Sequence, residues 1–298
     1  MPALRIATLL LFPLTLAAQQ QPERRTVAGD HVAIYNLAGV MRLERGTGGD
    51  VVVELTRGGP DAGRLEIATG PVRGREALRV IYPDDEIVYR GLGRGSNTTL
   101  HVRDDGTFND RDDQGRHRGD EGRRVRIMSS GSGLEAHADL RNAIPAGKRV
   151  EVYLAVGQAF ASNVDGDLRV DVAAANVTAD HVKGSLLVDT GSGDVTASSV
   201  RAGSVKIDTG SGNVRLDLLA DLEALDVDTG SGDVTINVPP DLGAELDIET
   251  GSGDIDLQNV TVRTTRLERD HLTGAIGDGK GRIRIETGSG AVHLVRAK

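Results

Sequence analysis

The chain has 298 residues, a formal net charge of -9, no Cys, no Trp, four Tyr and three Phe. That acidity excludes capture of nucleic acid or an anionic membrane by bulk charge, and the lack of Cys excludes thiol catalysis and a Cys-type zinc site. A core so poor in aromatics has to be built from Val, Leu, Ile and Ala, while 39 Gly against nine Pro point to tight turns rather than a disordered Pro-rich chain.

Residues 1–18 read as a secretory signal peptide. Arg5 supplies the basic start, Ile6 to Leu16 the short apolar run, and Ala17-Ala18 the small-residue cleavage site before Gln19-Gln20-Gln21. The run is too short to span a bilayer, which takes about 20 apolar residues, and no later run is longer. Without a Cys at the cleavage site there is no lipoprotein anchor. The expected protein is exported (periplasmic, cell-surface or secreted) and keeps no transmembrane anchor after cleavage.

Residues 19–298 read as one all-β domain, a parallel β-solenoid with rungs of about 20 residues. Residues 26–89 give irregular rungs, among them Asp50 to Leu55 after a Gly-Gly turn and Ala77 to Tyr82, stopped by Pro83. Residues 90–126 hold nine Arg and seven Asp or Glu with few apolar side chains, so a polar, mobile loop is expected there. The rung pattern resumes over 127–185.

From 186 to 298 one phrase recurs five times: Asp189-Thr190-Gly191-Ser192-Gly193-Asp194, Asp208 to Asn213, Asp228 to Asp233, Glu249 to Asp254 and Glu286 to Ala291. Its threonines are 19, 20, 21 and 37 residues apart. Four and two residues before each Thr, and five and seven after it, the side chain is aliphatic; the positions between are mostly polar. Period two on both sides of the phrase means a half-buried strand, a turn, and a second half-buried strand. The two glycines suit sharp turns with φ > 0. An antiparallel meander with these phrases as hairpins is the rival arrangement, but a unit recurring in register stacks more simply as a parallel coil with strands about 4.8 Å apart.

The phrases Val-Asp-Thr-Gly-Ser-Gly-Asp-Val-Thr, Ile-Pro-Ala-Gly at 144–147, Val-Pro-Pro at 238–240 and Ile-Gly-Asp-Gly at 276–279, before a last rung, resemble the bacterial putative-adhesin family of β-strand repeat proteins. The resemblance covers about residues 27 to 296 and is clearest from 160 on. It implies a β-solenoid fold, export or surface association, and a non-enzymatic, adhesin-like role. The charged stretch at 90–126 departs from the plain pattern.

Asp-Thr-Gly-Ser is also the catalytic phrase of aspartic proteases, which set two such loops face to face. Five copies at a near-constant period, two with Glu for Asp, lie side by side instead. The row Asp189, Asp208, Asp228, Glu249 and Glu286 then stacks carboxylates that repel one another. A Ca²⁺ ion between turns would relieve this; solvated carboxylates bonding nearby backbone N–H groups are the alternative. A second Ca²⁺ pattern places Asp110, Asp112, Gln114, Gly115 and Glu121 at loop positions 1, 3, 5, 6 and 12, opposed by Arg111, Arg116 and Arg118. The seven His show no ligand spacing.

The sequence therefore predicts an exported, non-enzymatic β-repeat protein acting as adhesin or scaffold. No cofactor is expected, Ca²⁺ being the alternative weighed for the acidic row and the 110–121 pattern, and the expected partner is a protein or cell-envelope component. A polysaccharide-cleaving β-helix enzyme is the alternative, disfavoured by the shortage of aromatics that stack on sugar rings. A Ca²⁺-stabilised structural repeat is a third reading.

Overall fold

The computed structural model describes residues 22–109 and 122–296. The expected signal peptide lies outside the described residues. These residues form an all-β molecule with a single 3-10 turn at Ala62–Arg64. Nineteen strands make one continuous sheet that turns through corners, and three more make a small separate sheet.

The repeat pattern folds as a stack of two-stranded coils. In each coil one strand builds a first wall, the Thr-Gly-Ser-Gly phrase makes the corner, and the next strand builds a second wall. The long strands His31–Arg45, Lys148–Ser162 and Asp165–Asp180 pass through the corner unbroken and pair in parallel on both walls. Register is one to one: Leu168 pairs with Leu186, Leu186 with Val205, and Val205 with Leu225. Like residues thus form rows along the stack, and the period of two sends Leu186, Val188, Val195 and Ala197 inward, fully buried. The inward rows of both walls belong to one hydrophobic cluster. This outcome excludes the meander.

The two corner glycines have different reasons. Gly193, Gly212 and Gly232 have φ of 136°, 143° and 138°, a region that favours glycine. A Cβ on Gly212 would also lie 2.1 Å from the Gly193 carbonyl oxygen of the coil beside it. The preceding glycines of the phrase are outside the left-handed region. At Gly210 the reason is clearance alone, because a Cβ would lie 2.6 Å from Gly191 O. Turning at φ > 0, expected of both glycines, thus applies to the second one alone and in three of the five copies, since Gly253 and Gly290 lie outside that region.

The coils do not stack in sequence order. Ala224–Thr229 pairs on its far side with Gly281–Thr287, not with Ala244–Thr250. Gly281–Thr287 then pairs with Ala244–Thr250. On the second wall Val292–Arg296 likewise sits between Val234–Val238 and Ile255–Gln258. The rung expected as the last one is an interior rung. Ala244–Thr250 is followed instead by the antiparallel hairpin of Arg263–Leu267 and His271–Ile276, which ends the first wall. Antiparallel strands close the other end too: Glu66–Val72 on Arg75–Ile81, and Glu23–Val27 on Val51–Gly58. Pro71 in the outermost strand removes a donor from that edge. The fold is solenoid-like, with a parallel middle and antiparallel ends, and the sheet is not closed.

The stretch 90–126 is not simply a polar loop. In its described parts, Asn97–Val102 pairs antiparallel with Arg123–Met128, which pairs parallel with Glu86–Val88. Leu100, Val102, Phe108, Val125 and Ile127 are buried in the common core cluster. Leu100, Val102, Val125 and Ile127 from the strands, with Phe108 from the segment after Asn97–Val102, seat this sheet on the core, while Arg124 and Arg126 stay exposed.

Candidate interaction site

The first wall brings the predicted acidic residues into one outward row. In stacking order it reads Asp171, Asp189, Asp208, Asp228, Glu286, Glu249, each in register with the next. The three Asp-Thr-Gly copies lie side by side rather than facing each other. Cations thread the neighbouring rows: Arg284 donates to Glu286 at 2.9 Å, and Lys206 lies 4.0 Å from Asp226. A Ca²⁺ site requires six to eight converging oxygens. Among the described residues no group of three or more His, Asp or Glu is gathered to hold a metal. The row is a line, not a cage. Asp110, Asp112, Gln114 and Glu121 lie outside the described residues.

The Asp and Asn side chains at the end of the phrase tie neighbouring coils together. Asp194 Oδ1 accepts the N–H of Asn213 at 2.9 Å, Asn213 Oδ1 that of Asp233 at 3.0 Å, and Asp233 Oδ1 that of Ala291 at 2.9 Å. Asn176 starts this chain by accepting the N–H of Asp194. Each side chain caps a corner donor of the next coil rather than one of its own turn.

At the head of the acidic row the outward positions are buried. In the row occupied by Asp171, the two preceding coils carry Tyr153 and Tyr35. Their rings stack at 4.5 Å, and Phe108 meets both edge-on at 6.0 and 6.4 Å. Arg75 donates to Tyr35 at 2.7 Å and lies 3.3 Å from Glu151, which also takes hydrogen bonds from Tyr153 at 2.6 Å and His31 at 2.7 Å. Burial opposes the ionised form of Glu151, but these donors and the Arg75 charge hold its carboxyl below the usual range. Burial also works against the Arg75 guanidinium; Tyr35, Tyr153 and Glu151 outweigh it, and Arg75 stays charged.

Asp171 is the reverse case. It is 3% exposed and accepts from Asn109 at 3.2 Å and Arg169 at 3.0 Å. Burial, followed by the nearby Asp189 charge, still pushes its carboxyl up to about 6. No sequence signal marked this cluster, since Tyr35, Tyr153 and Asp171 sit at positions that parity assigns to solvent. The covering residues, Thr107 to Asn109, come from the stretch read as a loop. Beside it runs a cleft of about 570 Å³ between residues 91–98 and the corners of three coils, lined by Ser96, Asn97, Gln158, Asn176 and Ser192 among others and by no charged residue.

The coil rows, their corner phrase and the register together are the features a repeat family conserves in shape. Residues 167–295 match the Toastrack DUF4097 family model. A crystal structure of a protein from Clostridium sporogenes, described as a putative cell adhesion protein, aligns over 93% of this chain and 100% of its own, with 11% identity and a TM-score of 0.31. No curated protein matches the chain in sequence.

The region that matches this family model contains the whole acidic row, from Asp171 to Glu286. Tyr35, Arg75, Phe108 and Glu151 lie before it. The buried cluster is therefore the seam where the coils matched by the family model meet the N-terminal part of the fold. No helix of the described residues is long and apolar enough to cross a membrane.

Proposed function

We propose that this chain is an exported, non-enzymatic β-repeat protein that works by contact, as an adhesin-like or scaffold element at the cell surface or in the envelope. The observation that supports this reading is the extended outward face of the first wall. From Asp189 to Glu249 five carboxylates run in one accessible row, about 19 Å long at the usual strand spacing. Stacked coils offer such long, regular surfaces to partners. A row of negative charge suits a cationic protein or envelope component. Its complementarity acts mainly on the association rate and on specificity.

The test is binding of the purified protein to intact cells, with Asp189, Asp208 and Asp228 changed together to Asn. The proposal expects binding that weakens at least about tenfold in the triple variant and falls with salt. Binding unaffected by either change would contradict it. Export is tested separately, by fusing residues 1–21 to a reporter active only outside the cytoplasm. Turnover of acidic polysaccharides by the purified protein would overturn the non-enzymatic reading.

A further inference from the structure

The place of residues 281–296 inside the stack defines a slot with strict requirements. Its walls are the coils 224–238 and 244–258, which follow each other in sequence yet do not touch as neighbours. The occupant needs glycine at two corner positions: a Cβ on Gly288 would lie 2.5 Å from Gly230 O, and one on Gly290 1.9 Å from Gly232 O. The far wall presses equally, since Cβ atoms on Gly251 and Gly253 would lie 2.4 and 1.9 Å from Gly288 O and Gly290 O. The occupant also needs a Thr before the glycines. Thr287 Oγ1 donates to Gly232 O at 3.3 Å. Its strands must send aliphatic side chains inward, as Ile283, Ile285, Val292 and Leu294 do. Its backbone must offer an N–H to Asp233 Oδ1. Few segments meet all of these terms; the Thr-Gly-Ser-Gly rungs of this chain do.

The occupant is held to the rest of the chain by a short link. Residues 277 to 280 are mostly exposed, and Gly277 and Gly279 have φ of 55° and 75°. Nothing in the slot's chemistry distinguishes a rung delivered by that link from the same rung of another molecule. We propose that the slot is a docking site for a Thr-Gly-x-Gly rung, and that it takes the 281–296 rung of a second copy of this chain when two copies fold together. The two copies then share one rung each in a reciprocal, symmetric pair. This interaction is separate from the acidic face and does not depend on the adhesin-like reading.

The experiment uses full chains, which have no native Cys. Asp228 and Glu286 are outward neighbours in register, a placement within reach of a disulfide. One copy carries Asp228→Cys, the other Glu286→Cys. They are unfolded, mixed, refolded at rising concentration and oxidised. The proposal expects a disulfide-linked heterodimer whose yield grows with concentration and which is absent when prefolded copies are mixed. A control replaces Glu286→Cys by Arg282→Cys, displaced about 13 Å along the strand. The proposal is overturned if no heterodimer forms at any concentration while a single chain carrying both Asp228→Cys and Glu286→Cys cross-links internally. It is equally overturned if the Arg282→Cys control gives as much heterodimer, or if the double variant itself fails to cross-link.

Discussion

The backbone N–H of Ala291 donates to the Asp233 carboxylate at 2.9 Å, across 58 residues of sequence. Asp254 holds the corresponding corner position in the coil that follows Asp233 in the chain, yet that coil lies one rung further away. The contact marks the rung that sequence order would place outermost as an interior one, with consequences for stability.

Removing residues 281–296 takes out the last but one rung of the parallel stack. The strands Ala244–Thr250 and Ile255–Gln258 then lose their parallel partners. Hydrogen exchange over 244–258 is expected to speed up on the order of 100-fold or more. A stack in sequence order would leave that coil protected.

The corner glycines are set by clearance. Gly290→Ala puts a methyl group 1.9 Å from the Gly232 carbonyl oxygen without any change of φ region. It is expected to cost about 2–4 kcal/mol in chemical denaturation. Gly63→Ala, where nothing lies within 4 Å, is expected to stay within about 0.5 kcal/mol of the parent.

Phe108 pins the small sheet to the coils through Tyr35 and Tyr153. Phe108→Ala is expected to lower unfolding free energy by about 3–5 kcal/mol. If 90–126 were a polar loop, the same change would be nearly silent.

Asp171 gives the fold a pH dependence of definite sign. Its folded pKa, about 6, lies above the ordinary 3.8, so the native state binds this proton more tightly than the unfolded chain does. Stability from this group is present below about pH 4 and is lost as pH rises to about 6, on the order of 3 kcal/mol in all. Asp171→Asn keeps an acceptor for Arg169 and removes the titration. The variant is expected to gain on the parent in melting temperature as pH rises from 4 to 7. A constant difference across that range would contradict the assignment.

Much of the coil was legible because parity and glycine spacing are local properties. The inward rows at Leu186, Val188 and Val195, and the outward acidic row, followed from period two alone. Rung order was not legible: all rungs carry the same Thr, the same glycines and the same aliphatic positions, so any of them fits any slot. The small sheet was hidden because Leu100, Val102, Phe108, Val125 and Ile127 are outnumbered by the Arg and Asp of the same stretch of sequence. The buried cluster was hidden because parity reports only which side of a strand a residue occupies. That Phe108 and Asn109 cover the outer side at Tyr35, Tyr153 and Asp171 is a tertiary fact.

The rung order is tested most directly by two disulfide pairs engineered within one chain. Asp228→Cys with Glu286→Cys joins coils that are neighbours, whereas Asp228→Cys with Glu249→Cys joins coils with another rung between them. Under mild oxidation of the folded protein at low concentration, the first pair is expected to close and the second to remain as free thiols. Closure of the second pair with the first left open would show that the coils follow sequence order and would contradict the structure described.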